Sequence, residues 1–532
     1  MMHQHTFQCT FDEPVVETRQ GKLRGFMRDG VYQFWGVRYG RAKRFEMPVE
    51  PESWEGVKDA LAYGYVSPLL EEPLPGNELT VPHRYWPMEE DCLNLNIATP
   101  TIDPEAKKPV MVWYHGGGFA DGSAIAHIAF EGDNMARNHD VVMVCVNHRL
   151  NAFGFMDVSC FGEKFWNSGN AGVVDLEYSL RWIQKNIRAF GGDPENVTIF
   201  GQSGGGGKVN TLLQAPSCAG LFQKAIVMSG VFDPGRLEEH PEADPKEFAE
   251  EVLRQLKLPE GDIEGLQKVH FRLFIMAVNR AIRVFGKRGQ VVSWRPHVNA
   301  WYPGYPLDIG FSEHAKKVPL MIGSTLGEFT NPRTPKNKSA MTDQEQEAYV
   351  LSYFGEEEGK KVLELFRKTY PGKNLAYAPF VDSLVRRGSV KYAKLKAEQS
   401  EAPAYAYLLS SCYEMDSGMP AWHNSDIPYA FGNGDIISYC SATENWQDIA
   451  ELLPAAFSAF AHNGDPNCEG LPKWEAAEKD SLCTMVFDAK IEAKTDFDDE
   501  LIEKLTELIP GFSFGHHNPK TDEDPEGHEW TY

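Results

Sequence analysis

Long apolar runs are missing from this chain of 532 residues. No stretch approaches the roughly 20 unbroken hydrophobic residues that a bilayer-crossing helix needs. The opening segment, MMHQHTFQCTFDEPVVE, has no charged region followed by an apolar core, so no secretion signal is expected. Cysteine is scarce: nine residues lie at wide spacings, with no CxxC pair and no metal-type pairing. An odd number, spread thinly over so long a chain, fits reduced thiols and a cytoplasmic location. Positive charge is also in deficit. With 52 Lys and Arg against 76 Asp and Glu, the formal charge is −24, which argues against a nucleic-acid partner, because phosphate binding needs clustered cations. The sequons at Asn196 and Asn337 lack a secretory context, and neither internal repeats nor low-complexity segments occur.

What the chain does contain is an ordinary globular composition, 42% hydrophobic and 12% aromatic. Short aliphatic runs recur: Pro109–Tyr114, Val141–Val146, Val197–Phe200, Ala225–Met228 and Val318–Ile322. Their hydrophobicity is continuous rather than alternating, as in parallel strands covered on both faces. Amphipathic helices lie between them. Across Asp175–Phe190, Leu176, Leu180, Ile183 and Ile187 share one helical face, and Gly191-Gly192 ends it. This alternation predicts a doubly wound, mostly parallel α/β sheet. The opening VVETRQGKLRGFMRDGVYQFWGV has period-two patterning broken by glycine and predicts an antiparallel meander. Two helical, charged stretches, about 234–310 and 335–400, interrupt the rhythm and read as insertions over one edge of the sheet. From about 515 the chain reads as a polar tail.

GQSGGGGKV, residues 201–209, is the stretch most in need of a reason, since glycine in a helix costs roughly 1 kcal/mol against alanine. A phosphate loop GxxxxGK[ST] would need glycine at Gln202 and Ser or Thr at Val209. A dinucleotide GxGxxG counted from Gly204 would need glycine at Val209. A glycine-rich turn without chemistry is a third reading. The fourth is a nucleophile elbow, GxSxG, with Ser203 between a strand and a helix. In it Gly201 and Gly205 give clearance, Gly204 offers its N–H to an oxyanion, and Gly206 and Gly207 let the helix press on the sheet. The HGGGF run, His115–Phe119, follows the Pro109–Tyr114 strand and matches an oxyanion loop that adds Gly117 and Gly118 as donors.

With these motifs in order, the chain resembles the type-B carboxylesterases, the cholinesterase-like branch of the α/β-hydrolases. EEDCLNLNIATP at Glu89–Pro100, VNHRLNAFGF and NAGVVDLEYSLRWIQKNIRAFGGDPENVTIFGQSGG resemble that family's signatures, over about residues 36 to 467. The resemblance implies a single α/β-hydrolase domain over 1–532 that cleaves small carboxylic esters through an acyl-serine. It implies neither a metal nor an organic cofactor, and no membrane partner; it leaves the oligomeric state open. The chain order serine, acid, histidine then implies Glu328 in VPLMIGSTLGEFTNP and His423 in GMPAWHNSDIPYAFGN as partners of Ser203. Asp426 and Asp175 are competing acids, the first within the histidine's own loop and the second at a helix start where capping suffices.

The chain also departs from the family. Gln202 and Gly204 stand where the family usually has glutamate and alanine, Ser67 stands where Cys92 would find its disulfide partner, and no tryptophan has the choline-site spacing, Trp86 being too near Cys92. Phe119, Gln202, Phe285 and Trp294 are candidate substrate contacts. The basic stretch Arg280, Arg283, Lys287 and Arg288 is either a solvated helix face or a rim attracting acidic esters. A glyceride lipase and a non-catalytic binding protein remain alternative readings.

Overall fold

The computed structural model describes residues 6–71, 82–329 and 334–512; the polar tail from about 515 lies outside them. Among the described residues, twelve strands form one sheet. In chain order they are β1 (Phe7–Gln8), β2 (Phe26–Arg28), β3 (Val31–Arg38), β4 (Asn94–Thr99), β5 (Lys108–Tyr114), β6 (Val142–Val146), β7 (Gly192–Gln202), β8 (Lys224–Met228), β9 (Leu320–Thr325), β10 (Ala404–Leu409), β11 (Cys483–Phe487) and β12 (Glu492–Thr495). The spatial order is β1-β2-β3-β4-β6-β5-β7-β8-β9-β10-β11-β12. From β6 through β11 all neighbours are parallel; β1 to β4 and β12 pair antiparallel at the two edges.

The continuous aliphatic runs are explained by burial on both faces. Val110 and Val112 of β5 join a core with Leu176, Leu180 and Ile183 of α1 (Ala171–Asn186) and Val209, Leu212 and Leu213 of α2 (Gly204–Gln214). Met111 and Trp113, one residue out of phase, join the opposite core with Ile449, Leu453, Phe457 and Phe460. Two helical lobes have cores of their own. One gathers α3 (Pro245–Gln255) and α4 (Phe271–Gly286) around Phe248, Phe274 and Phe285. The other packs α5 (Asp343–Phe354) and α6 (Glu356–Thr369) with Leu501, Ile502 and Leu505.

Two local expectations are corrected. The opening meander divides between sheets: Val15–Glu17 and Lys22–Arg24 form a small sheet with Val57–Asp59, while β2 and β3 enter the large one. Gly25 is the crossing point, where a side chain would overlap the backbone of Gln33. The long helix starts at Ala171, four residues before Asp175, because Ala171, Val173 and Val174 already belong to its buried face. Asp175 therefore caps nothing. It lies fully buried and holds Arg149 through Nη2 at 2.7 Å and Nε at 2.8 Å. Arg149 also donates to the carbonyls of Lys43 and Glu46, so the pair ties the end of β6 to α1 and to the 43–46 loop.

The strand ends are level. Gly201 of β7 is in register with Tyr114 of β5, Gln202 with Met228 of β8, and Met228 with Gly323 of β9. Loops leaving the carboxyl ends of four neighbouring strands consequently open at one height, the usual position for chemistry in a parallel sheet.

Breaking the buried Arg149–Asp175 pair from one side should be expensive, since it leaves an uncompensated charge. Asp175→Ala is expected to lower unfolding free energy by about 3 to 5 kcal/mol, read from urea midpoints. A loss under about 1 kcal/mol would show that Arg149 finds another partner.

Candidate active site

Ser203 sits between β7 and α2 with φ 58° and ψ −126°. Such a backbone is strained for a non-glycine residue, by roughly 1–3 kcal/mol. Its neighbours show why they carry no side chain. A Cβ on Gly205 would overlap Tyr114 O, and one on Gly204 would overlap the backbone of Gly118. On Gly201 it would lie 2.5 Å from Gly205 C, and on Gly206 2.8 Å from Gly230 Cα. Gly207 is looser, its nearest neighbour being Phe119 Cζ at 3.3 Å. The glycine run is thus a set of backbone-to-backbone contacts between the start of α2 and the ends of β5 and β8.

The 115–119 loop reaches the serine from the β5 side. A Cβ on Gly116 would be 3.4 Å from Ser203 Cβ. Gly117 and Gly118 have φ of 87° and 60°, which only glycine adopts without cost. Among the described residues, the N–H groups of Gly117, Gly118 and Gly204 take no hydrogen bond. Gly204 lies directly against Gly118, a Cβ on it overlapping Gly118 Cα, next to Ser203 at a helix N-terminus whose dipole favours negative charge.

From the β9 side comes Glu328, itself at φ 38°. Its Oε1 accepts from Thr325 N–H at 2.7 Å and Ser229 Oγ–H at 2.8 Å, and its Oε2 is hydrogen-bonded to His423 Nδ1. The backbones run side by side, His423 N–H donating to Glu328 O at 3.0 Å. Gln202, the residue before Ser203, donates Nε2–H to His423 O. The histidine loop is thereby fastened to both the acid and the elbow. His423 Nε2 is buried and has no hydrogen-bond partner among the described residues, so no hydrogen bond joins it to Ser203 Oγ. Phe329 covers the imidazole with ring centroids 3.8 Å apart.

Burial governs the electrostatics. It pushes the His423 imidazole down to about 4, against an upward pull from the Asp426 and Asp382 carboxylates. The ring is neutral at pH 7, as a proton acceptor must be. Burial also raises Glu328, against the donors from Thr325 and Ser229. An imidazolium formed beside it would favour its ionised form.

A model of the carboxylesterase family matches residues 12–501. The chain belongs to the carboxylesterase family. Among curated relatives, the para-nitrobenzyl esterase of Bacillus subtilis is 31% identical over 502 residues, covering 92% of this chain and 98% of that protein. Carboxylesterase 3B of Mus musculus is 29% identical, over 87% of this chain and 84% of that protein. Among solved structures, an esterase from anaerobic Clostridium hathewayi that can hydrolyze aliphatic aromatic polyesters superposes with a TM-score of 0.90 at 39% identity, covering 95% of this chain and all of that one. The fold is that of the α/β-hydrolases, and the protein is a carboxylic-ester hydrolase.

In this carboxylesterase, Ser203, His423, Glu328, Gly117, Gly118, Gly204 and Gln202 all gather at one place. Phe119 stands at its margin, edge-on to Phe155 with centroids 5.2 Å apart. Phe285 and Trp294 both pack on Phe248, at 5.7 and 6.0 Å, within the α3–α4 lobe. Arg280, Arg283, Lys287 and Arg288 lie on the exposed face of that lobe. Of the competing acids, Asp175 is held by Arg149, and Asp426 accepts from Tyr407 Oη–H at 2.7 Å. Cys92 is buried and unpaired, like the other cysteines in having no disulfide, and Ser67 instead accepts Leu150 N–H. Among the described residues no metal-holding group of His, Cys, Asp or Glu is present, and no helix is long and apolar enough to cross a membrane. Ser229 and Phe329 escaped the sequence reading. Ser229 follows the AIVM strand directly, a place level with the other site residues, but register is needed to see it.

The glycine contacts separate two substitutions of equal chemistry. Gly205→Ala forces backbone against backbone and is expected to cost more than about 4 kcal/mol or to prevent folding. Gly207→Ala is expected to stay within about 1 kcal/mol of wild type, helped by alanine's helix propensity. Thermal unfolding of the two proteins decides; equal midpoints would contradict the packing described.

Proposed function

We propose that Ser203 is the nucleophile of this ester hydrolase, His423 its general base and acid, and Glu328 the carboxylate that orients and stabilises the imidazolium. The observation that carries this is the His423 loop, bound at Nδ1 by Glu328 and at its carbonyl by the residue preceding Ser203. Ser203 Oγ attacks the ester carbonyl as His423 Nε2 takes its proton. The tetrahedral oxyanion is held by the N–H groups of Gly117, Gly118 and Gly204. Collapse expels the alcohol, which takes the proton from His423 and leaves an acyl-serine. Water, deprotonated by the same imidazole, then frees the acid and restores Ser203.

The substrate class we infer is uncharged esters carrying an aryl or benzyl group on one side. Support comes from the names of its relatives, a para-nitrobenzyl esterase and an esterase acting on aliphatic aromatic polyesters. Gln202 beside the nucleophile brings no negative charge that would favour a cationic substrate. We read the α3–α4 and α5–α6 lobes as insertions on a single α/β-hydrolase domain, the nine unpaired cysteines as fitting a cytoplasmic enzyme, and the charge of −24 as arguing against a nucleic-acid partner.

Ser203→Ala is expected to cut turnover of a p-nitrophenyl ester by at least about 10⁴-fold and to abolish labelling by a fluorophosphonate, with an unchanged thermal midpoint. Retained turnover would overturn the assignment. The base form of His423 persists below the ordinary imidazole range. The acid limb of kcat/KM is therefore expected below pH 6.5, with activity lost as pH falls through it. Gln202→Glu places a carboxylate beside the ring, which favours the imidazolium and should move that limb to higher pH. A limb unmoved in the variant, or one lying above 6.5 in wild type, would count against His423 as the base.

A further inference from the structure

Lys208 is fully buried, five residues beyond Ser203 in α2, and the ester-cleaving steps above do not use it. A lysine there is costly twice over. Burial disfavours its charge, and the N-terminal half of a helix repels a cation. Burial lowers the ammonium to about 7, opposed by Asp121. The other titratable groups facing it are His115 and His148, whose rings stack at 5.1 Å and which burial keeps neutral. Asp121 is thus the carboxylate whose charge favours the buried ammonium, and the two neutral imidazoles add none.

The contacts of its head group give it a task. Lys208 Nζ donates to His115 O at 2.8 Å, and the same ammonium lies 5.9 Å from the centre of the Phe119 ring. These two residues are the first and last of the loop that contains Gly116, Gly117 and Gly118. His115 O also faces the helix start, where a Cβ on Gly205 would come within 3.0 Å of it. At the far end, Phe119 O accepts Asn151 N–H at 2.8 Å. Between those anchors stand three glycines with little conformational preference of their own. The peptide plane after His115 is set by what its carbonyl binds.

We propose that Lys208 is a positioning residue for ester hydrolysis, its buried ammonium pinning the His115 carbonyl beneath Phe119 so that the glycine loop presents its N–H groups to the oxyanion. The proposal rests on the assignment of Ser203 and that loop to catalysis. A pin of this kind acts on the transition state, in which the oxyanion forms, more than on substrate binding.

Lys208→Met keeps the length and removes the donor. The expected result, with a p-nitrophenyl ester, is a fall in kcat of about tenfold to a hundredfold, part of what losing one oxyanion donor outright costs, with KM within about threefold and a thermal midpoint at or above wild type. If Lys208→Met shows no cooperative unfolding transition, Lys208→Leu, which also lacks a donor, is read by the same criteria. A kcat within about twofold of wild type, or a loss confined to KM, overturns the proposal. Fluorophosphonate labelling of wild type is run alongside. Absence of labelling there would indict the Ser203 assignment, whereas a labelled wild type with an unimpaired variant would sink the Lys208 inference alone.

Discussion

The site depends on one close approach: the start of α2 lies against the carbonyls at the end of β5 with no side chain between them. Gly201, Gly204, Gly205 and Gly206 each face backbone where a Cβ would stand. That contact holds Ser203 at positive φ at the end of a parallel strand. It also brings the free N–H groups of the β5 loop beside that hydroxyl. The strain at Ser203 persists because the surrounding backbones over-determine it.

The second constraint is the dryness of the histidine's surroundings. Glu328, Asp382 and Asp426 are all buried around His423, and burial raises all three carboxyls, Asp382 and Asp426 to about 7. Each has a local occupation: Glu328 on the imidazole, Asp382 on the backbone N–H of Arg386, Asp426 on Tyr407. Burial thus works against the charged form of these three carboxyls and of His423 itself. In such a medium a hydrogen bond from Gln202 or Ser229 orients its partner more firmly than it would in water.

Much of this could be read along the chain, and the reason differs by element. Parallel strands buried on both faces leave unbroken aliphatic runs, so β5 to β9 were visible within a few residues of their ends. GQSGGGG and HGGGF were visible because backbone contact leaves a compositional trace that few other causes produce. Phe285 and Trp294 are harder to place from sequence, because an aromatic looks the same in a pocket as in a core; the fold packs both on Phe248. The start of α1 was placed late because Asp175 resembles a cap, whereas its partner Arg149 is 26 residues away. Lys208 gave no warning at all, since burial of a lysine is set by elements remote in sequence.

By itself, then, the order of residues determined the class of fold and the family, because each rests on local periodicity or on glycines placed where backbones meet. Tertiary structure alone decided that Gln202 ties the histidine loop to the elbow, that Ser229 reaches Glu328, and that Asp175 is held by Arg149. Those outcomes depend on how strand ends distant along the chain line up at one edge of the sheet. Register across a parallel sheet is set by the packing of both its faces together, and no short stretch of sequence contains it.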